Sequence, residues 1–153
     1  LPDAGFAIGG VVPETGREEA AFSPMFRYPW TQTLEALAAM PAAKDGSKRL
    51  RYTNPMTGGP VIPTLDSYLW ELENGQETQA YRTTSNAIYL VVEGDGVSHV
   101  GDKTFDWHTN HVFTAPHWSW VSHHAVDGKA RIFMLTDRAW LKQIDQLREE
   151  FRD

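Results

Sequence analysis

The strongest constraint on what this chain can fold into is the regular punctuation of its second half. Beyond Pro63, short runs rich in β-branched and aromatic residues are separated by Asn74-Gly75, Glu93-Gly94-Asp95-Gly96, Gly101-Asp102, Thr109-Asn110 and Asp127-Gly128. Turn signals at roughly 8 to 12 residue intervals are the mark of an all-β sandwich or barrel. The pattern predicts strands near 65–72, 78–82, 86–93, 96–100, 104–106, 111–115, 118–125 and 130–136. Asn-Gly and Asp-Gly take positive φ at little cost, so 74–75 and 127–128 read as two-residue hairpins and the strands as largely antiparallel. Gly94-Asp95-Gly96 also reads as a hairpin turn, because it lacks the third glycine and the following helix of a phosphate loop.

The ends follow other rhythms. Residues 1–30 carry Pro2, Pro13, Pro24 and Pro29 with Gly5, Gly9, Gly10 and Gly16, a composition that reads as an extended arm or interdomain linker. Thr31 is placed to cap a helix over 31–41 that presents Leu34, Leu37, Ala38 and Met40 on one face and stops at Pro41. Asp137 is placed to cap a second, amphipathic helix over 137–152, with Trp140, Leu141, Ile144, Leu147 and Phe151 at three- and four-residue steps. A single domain is expected over 31–153, with a barrel over about 50–136. The arm and the apolar helix face are expected to be partly buried between subunits or domains.

Composition removes several function classes. The 153 residues include no cysteine, which excludes disulfides, zinc-thiolate sites, iron–sulfur clusters and cysteine nucleophiles. A net charge of -6 with scattered lysines and arginines gives no basic stripe for a nucleic-acid backbone. No apolar run approaches the roughly 18 residues that span a bilayer. There is no Gly-x-Ser-x-Gly elbow, so Ser119 and Ser122 beside His123 make a poor hydrolase triad. The chain begins at Leu1, which places the expected translational start upstream.

Two blocks carry the chemistry. The first runs from Gly75 through Tyr81-Arg-Thr83 to Glu93-Gly94-Asp95-Gly96, and the second from Asn110-His111 through Pro116-His-Trp118-Ser-Trp120-Val121-Ser-His123. Together they resemble the two cupin motifs, which implies a double-stranded β-helix, or jelly roll. More narrowly, Phe26-Arg-Tyr-Pro-Trp30, the block Leu50-Arg-Tyr-Thr-Asn-Pro-Met-Thr-Gly-Gly-Pro60 and Phe133-Met-Leu-Thr-Asp-Arg138 resemble the C-terminal half of gentisate 1,2-dioxygenase and its salicylate and hydroxynaphthoate relatives. The resemblance runs from about Pro24 to the end. It implies a bicupin of bacterial aromatic catabolism, cytoplasmic and oligomeric. An N-terminal cupin would hold iron(II) on three histidines and open the ring of a hydroxybenzoate with dioxygen.

The same overlay puts Tyr81, Thr83 and Val121 where the cupin motifs carry their three histidines. Tyr81 and Thr83 share one strand face by the two-residue period, yet neither is a good iron(II) ligand, and valine has no donor. No iron is therefore expected in this chain, whose role would be structural. Tyr81, Thr83, Trp118, Trp120 and His123 are the candidate pocket. His123 should face inward with Val121 and its neighbour His124 outward. Trp118 and Trp120 are expected in the barrel wall. His99 and His108 are expected to be solvated near strand ends, His111 to sit in a turn, and His117 follows Pro116. Two rivals stand beside this reading: a self-sufficient small cupin that binds a metal or ligand through His123, and an oligomerisation module without a pocket.

Overall fold

In the computed structural model, residues 23–25 and 27–152 are described, so most of the arm predicted over 1–30 lies outside the described residues. Helix α1 (Trp30–Ala39) precedes eight strands: β1 (Lys48–Tyr52), β2 (Asp66–Leu72), β3 (Tyr81–Thr83), β4 (Ala87–Val100), β5 (Lys103–Trp107), β6 (Val112–Ala115), β7 (Val121–Thr136) and β8 (Glu149–Phe151). A short helix, α2 (Arg138–Gln143), lies between β7 and β8. The strands run in the order β1-β2-β7-β3-β8, while β4 pairs with β5, β6 and β7. Every pairing between named strands is antiparallel, and the sheet curls around one apolar core. This is the expected jelly roll.

Strand alternation builds the core. Along β4, Ala87, Tyr89 and Val91 are buried while Ile88 and Leu90 are exposed, the period-2 pattern of a sheet with one covered face. Trp70, Leu72, Trp107 and Ile132 fill the centre, and Tyr68, Phe105 and Phe113 pack against it. At the edge, α1 is tied to β1 by Lys48 Nζ, which donates to Leu37 O at 2.8 Å.

Three expectations are corrected. Thr31 does not cap α1: the cap is Pro29, and the helix runs from Trp30 to Ala39, starting one residue and ending two residues earlier than predicted. The long C-terminal helix is absent. Asp137 occupies the N-cap of α2, but its carboxylate accepts from Asn86 N and Nδ2 instead of capping. The helix stops at Gln143, Asp145 takes φ 56, and Glu149–Phe151 becomes a strand on β3. An exposed strand edge offers three backbone partners, which another helical turn on the surface could not use.

The third correction concerns turns. Gly101-Asp102 closes a two-residue hairpin between Val100 and Lys103. The signals at 93–96 and 127–128 do not close hairpins; they are bulges within the unbroken strands β4 and β7, where the register shifts between Val91 and Asp95. Gly94 has φ 92, and a Cβ there would meet Lys129 O at 2.5 Å. Asp127 and Gly128 both take positive φ as predicted, but they bend β7 so that it can follow β4 around the barrel. Asn74-Gly75 is likewise a turn that docks on this bulge: Asn74 Oδ1 accepts from Gly128 N, and Gly75 N donates to Ala125 O.

Candidate functional site

The interior end of β3 places the predicted ligand positions together. Tyr81 and Val121 are direct cross-strand partners, and Thr83 follows Tyr81 on the same face. All three line a cavity of about 280 Å³. Its floor is a pair of phenols: the Tyr81 and Tyr89 hydroxyls lie 2.7 Å apart, and Tyr81 reaches Met134 Sδ at 3.7 Å. Burial is the main cause that pushes the Tyr81 hydroxyl up to about 12 and raises Tyr89 well above the ordinary phenol value. Both phenols are therefore neutral near pH 7.

The donor set at this position does not fit iron(II). A protonated phenol, an alcohol and a hydrocarbon replace the neutral imidazoles that such an ion requires. Among the described residues, no group of three or more His, Cys, Asp or Glu side chains is arranged to hold a metal ion.

The structure separates the other candidates from this cavity. His123 does face inward, and it is 0% exposed. It lies beyond the cavity wall, packed edge-on to Trp70 and Tyr89 with ring centroids at 5.2 Å and 4.7 Å. Its Nδ1 is 2.6 Å from Ser98 Oγ, which also accepts from Trp107 Nε1 at 2.8 Å. Burial first, and then the positive charge of Arg49, hold the imidazole pKa down at about 3, so the ring is neutral. His99, His108 and His111 are exposed, and His111 N closes a turn on His108 O.

Trp118 and Trp120 are not barrel wall. They lie on the outer side of β3 and hold the Arg82 guanidinium between them, 4.5 Å and 4.8 Å from the ring centroids, with Arg152 over Trp120 at 4.4 Å. Strand parity explains this: Arg82 points opposite to Tyr81 and Thr83 and carries the two rings with it. Trp118 has φ 58, a left-handed conformation unusual for a bulky residue, and Trp118 N donates to Thr83 O at 2.6 Å.

Sequence reasoning missed the polar mouth of the cavity. Arg49 and Arg51 reach it from β1 and Arg138 from α2, with Glu149 beside them. Arg49 lies over the Trp70 ring at 4.6 Å, Arg51 is paired with Asp66, and Arg138 holds Glu149 through two nitrogens. The signal was present in Lys48-Arg-Leu-Arg-Tyr52, where two arginines two residues apart between turn segments share one strand face.

No protein-family model matches the chain. It is 32% identical over 143 residues to gentisate 1,2 dioxygenase 1 of Aquipseudomonas alcaligenes, a match that covers 91% of this chain and 41% of the relative. It is 34% identical to 5-aminosalicylate 1,2-dioxygenase of Comamonas sp, covering 83% of this chain and 35% of that one. Among solved structures, salicylate 1,2-dioxygenase from Pseudaminobacter salicylatoxidans superposes with a TM-score of 0.83 at 25% identity, covering 97% of this chain and 45% of its own. The chain thus spans about two fifths of the length of the relatives it matches.

Proposed function

The chain is homologous to one part of the gentisate, aminosalicylate and hydroxynaphthoate dioxygenases, and from that premise we propose that it is the C-terminal, iron-free cupin of such an enzyme. The observation that carries the reading is the pairing of Tyr81 with Val121 around a hydrogen-bonded phenol pair, at the place where the cupin motifs converge their ligands. A neutral phenol and a valine there leave an ion without a coordination shell.

On this reading the whole protein opens the ring of a hydroxybenzoate with dioxygen, at an iron(II) held by an N-terminal cupin in the same polypeptide. The present domain is structural and contributes to a homo-oligomer. Ile88, Leu90 and Val112 support a packing role. They are 49%, 37% and 62% exposed on neighbouring strands β4 and β6, and such contiguous apolar surface usually meets a partner. The small-cupin alternative through His123 has the less favourable geometry, because the imidazole is sealed among rings outside the cavity.

The test is metal analysis after anaerobic incubation with ferrous iron and gel filtration. The parent chain should retain no stoichiometric iron, and the variant with Tyr81→His, Thr83→His and Val121→His should retain it. Stoichiometric iron on the parent chain, lost on Tyr81→Phe substitution, would refute the reading.

A further inference from the structure

We propose that the cavity behind Tyr81 binds a small aromatic carboxylate. The inference rests on the preceding reading in one respect only, that no metal fills this space. Its volume suits one ring: a dry apolar cavity of about 150 Å³ already accommodates benzene, and this one is about 280 Å³. That leaves room for a carboxylate and small ring substituents.

The walls and the mouth select for opposite ends of such a molecule. Trp70, Tyr81, Tyr89, Val121, Met134 and Phe151 supply apolar and aromatic walls. Phe151 is stacked on Tyr81 at 6.1 Å, so the strand that replaced the expected helix closes one side of the chamber. Aromatic rings favour another ring at offset or edge-to-face geometry.

The charge at the mouth is positive. Arg49, Arg51 and Arg138 line it and, among the described residues, Glu149 is the sole carboxylate that does so; Asp45 and Asp66, which pair with Arg49 and Arg51, stand outside the lining. Each of these arginines keeps hydrogen-bonding capacity in reserve. Arg49 uses Nε and Nη2, and Arg51 uses Nε and Nη2, which leaves each Nη1 without a partner among the described residues. The Nη1 of Arg138 has only the Tyr68 hydroxyl at 3.5 Å.

Arg49 and Arg51 are two residues apart on one strand, about 7 Å, so a single carboxylate can lie between their guanidinium groups. Arg49 is the better placed of the two. It stacks on Trp70, and its charge is felt at Tyr81, Tyr89 and His123 in the interior. A neutral ring would forgo this, and an anion without a ring would leave the aromatic walls unfilled.

The experiment titrates the iron-free 153-residue chain with benzoate, with benzamide as the uncharged isostere and acetate as the anion without a ring. Calorimetry gives the stoichiometry, and a change in tryptophan fluorescence, to which Trp70 contributes as the one tryptophan of the six among the lining residues, follows occupancy. Saturable one-site binding of benzoate is expected, with benzamide and acetate weaker by roughly tenfold or more, the usual loss when a charge-assisted hydrogen bond or an aromatic contact is removed. Arg49→Gln and Arg51→Gln should each weaken benzoate, Arg49→Gln the more, while circular dichroism stays unchanged. Two variants are used so that misfolding of one leaves the other decisive. Val121→Trp, which fills the chamber without touching the arginines, should abolish binding. Absence of saturable benzoate binding, or equal affinity for benzamide, overturns the inference and leaves the iron-free reading standing. Benzoate binding only after ferrous iron is added overturns both.

Discussion

Replacing His123 with phenylalanine should flatten the acid limb of the stability profile. The imidazole is fully buried, and its pKa is held at about 3 by burial and by Arg49. In the unfolded chain it titrates near 6.5. Below that pH the unfolded state takes up a proton that the folded state refuses. The stabilising contribution is therefore complete above about pH 6.5 and is lost as pH falls toward 3. While only the unfolded form is protonated, the slope is about 1.4 kcal/mol per pH unit, which amounts to about 3 kcal/mol by pH 4. That is a large share of the roughly 5–15 kcal/mol typical of a domain. In the variant a ring replaces a ring, and Ser98 Oγ keeps Trp107 Nε1 as its donor, so the loss at pH 7 should be about 1 kcal/mol, the Ser98–imidazole bond. Urea unfolding followed by tryptophan fluorescence between about pH 7.5 and 4 measures both proteins. The parent's advantage at neutral pH should reverse in acid, by roughly 3 kcal/mol in total. Profiles that stay parallel over this range would show that the folded protein does not refuse the buried imidazole a proton, and would refute the prediction.

Two further outcomes are expected. Gly96→Ala should lower the thermal midpoint, at a cost of about 3 kcal/mol or more, because the new Cβ would lie 2.2 Å from both His124 O and the Trp107 ring; an unchanged melting curve would contradict it. Arg131→Met should cost about 3 kcal/mol in chemical denaturation, since Glu71, which is 5% exposed, would keep, among the described residues, only Lys129 at 3.6 Å as its cationic partner. The same change should loosen α1, because the Arg131 guanidinium lies 5.9 Å from the Trp30 ring centroid.

The parts of this fold that depend on near neighbours were legible in the sequence. Alternation located β2, β5 and β6 to within two residues, and the two-residue period put Tyr81 and Thr83 on one face. Asp127 and Gly128 took the positive φ that their side chains favour. What they do with it depends on a distant partner: β4 continues opposite them, so the same local conformation makes a bulge and not a hairpin. Trp140, Leu141, Ile144, Leu147 and Phe151 fit a helical period as far as Gln143. Past that point the free edge of β3 outcompetes another helical turn, and no window on the C-terminal sequence contains β3. The site shows the same division. The tyrosine and valine that replace the histidines could be read from motif spacing. The arginine mouth required knowing that β1 lies across β2 from the barrel interior, and the Ser98–Trp107 clasp on His123 joins three strands.

The long ribbon of β4 and β7 has a bearing on how the chain finds its register. The two strands are paired from Val100↔Val121 at the inner end to Ala87↔Thr136 at the outer, with β5 and β6 contained in the loop between them. Closing the inner pair first costs the least loop entropy, and each later pair extends an alignment already begun. A zipper of this length could lock one residue out of step, which would turn Tyr89 and His123 to the wrong face. The two irregularities prevent that. Gly94 can sit against Lys129 and Ala130 only because it has no side chain, and the kink at Asp127-Gly128 must fall opposite it. A slip of one residue would bring the Cβ of Glu93 or Asp95 into a space that admits none, so the notch in one strand measures the other as it closes.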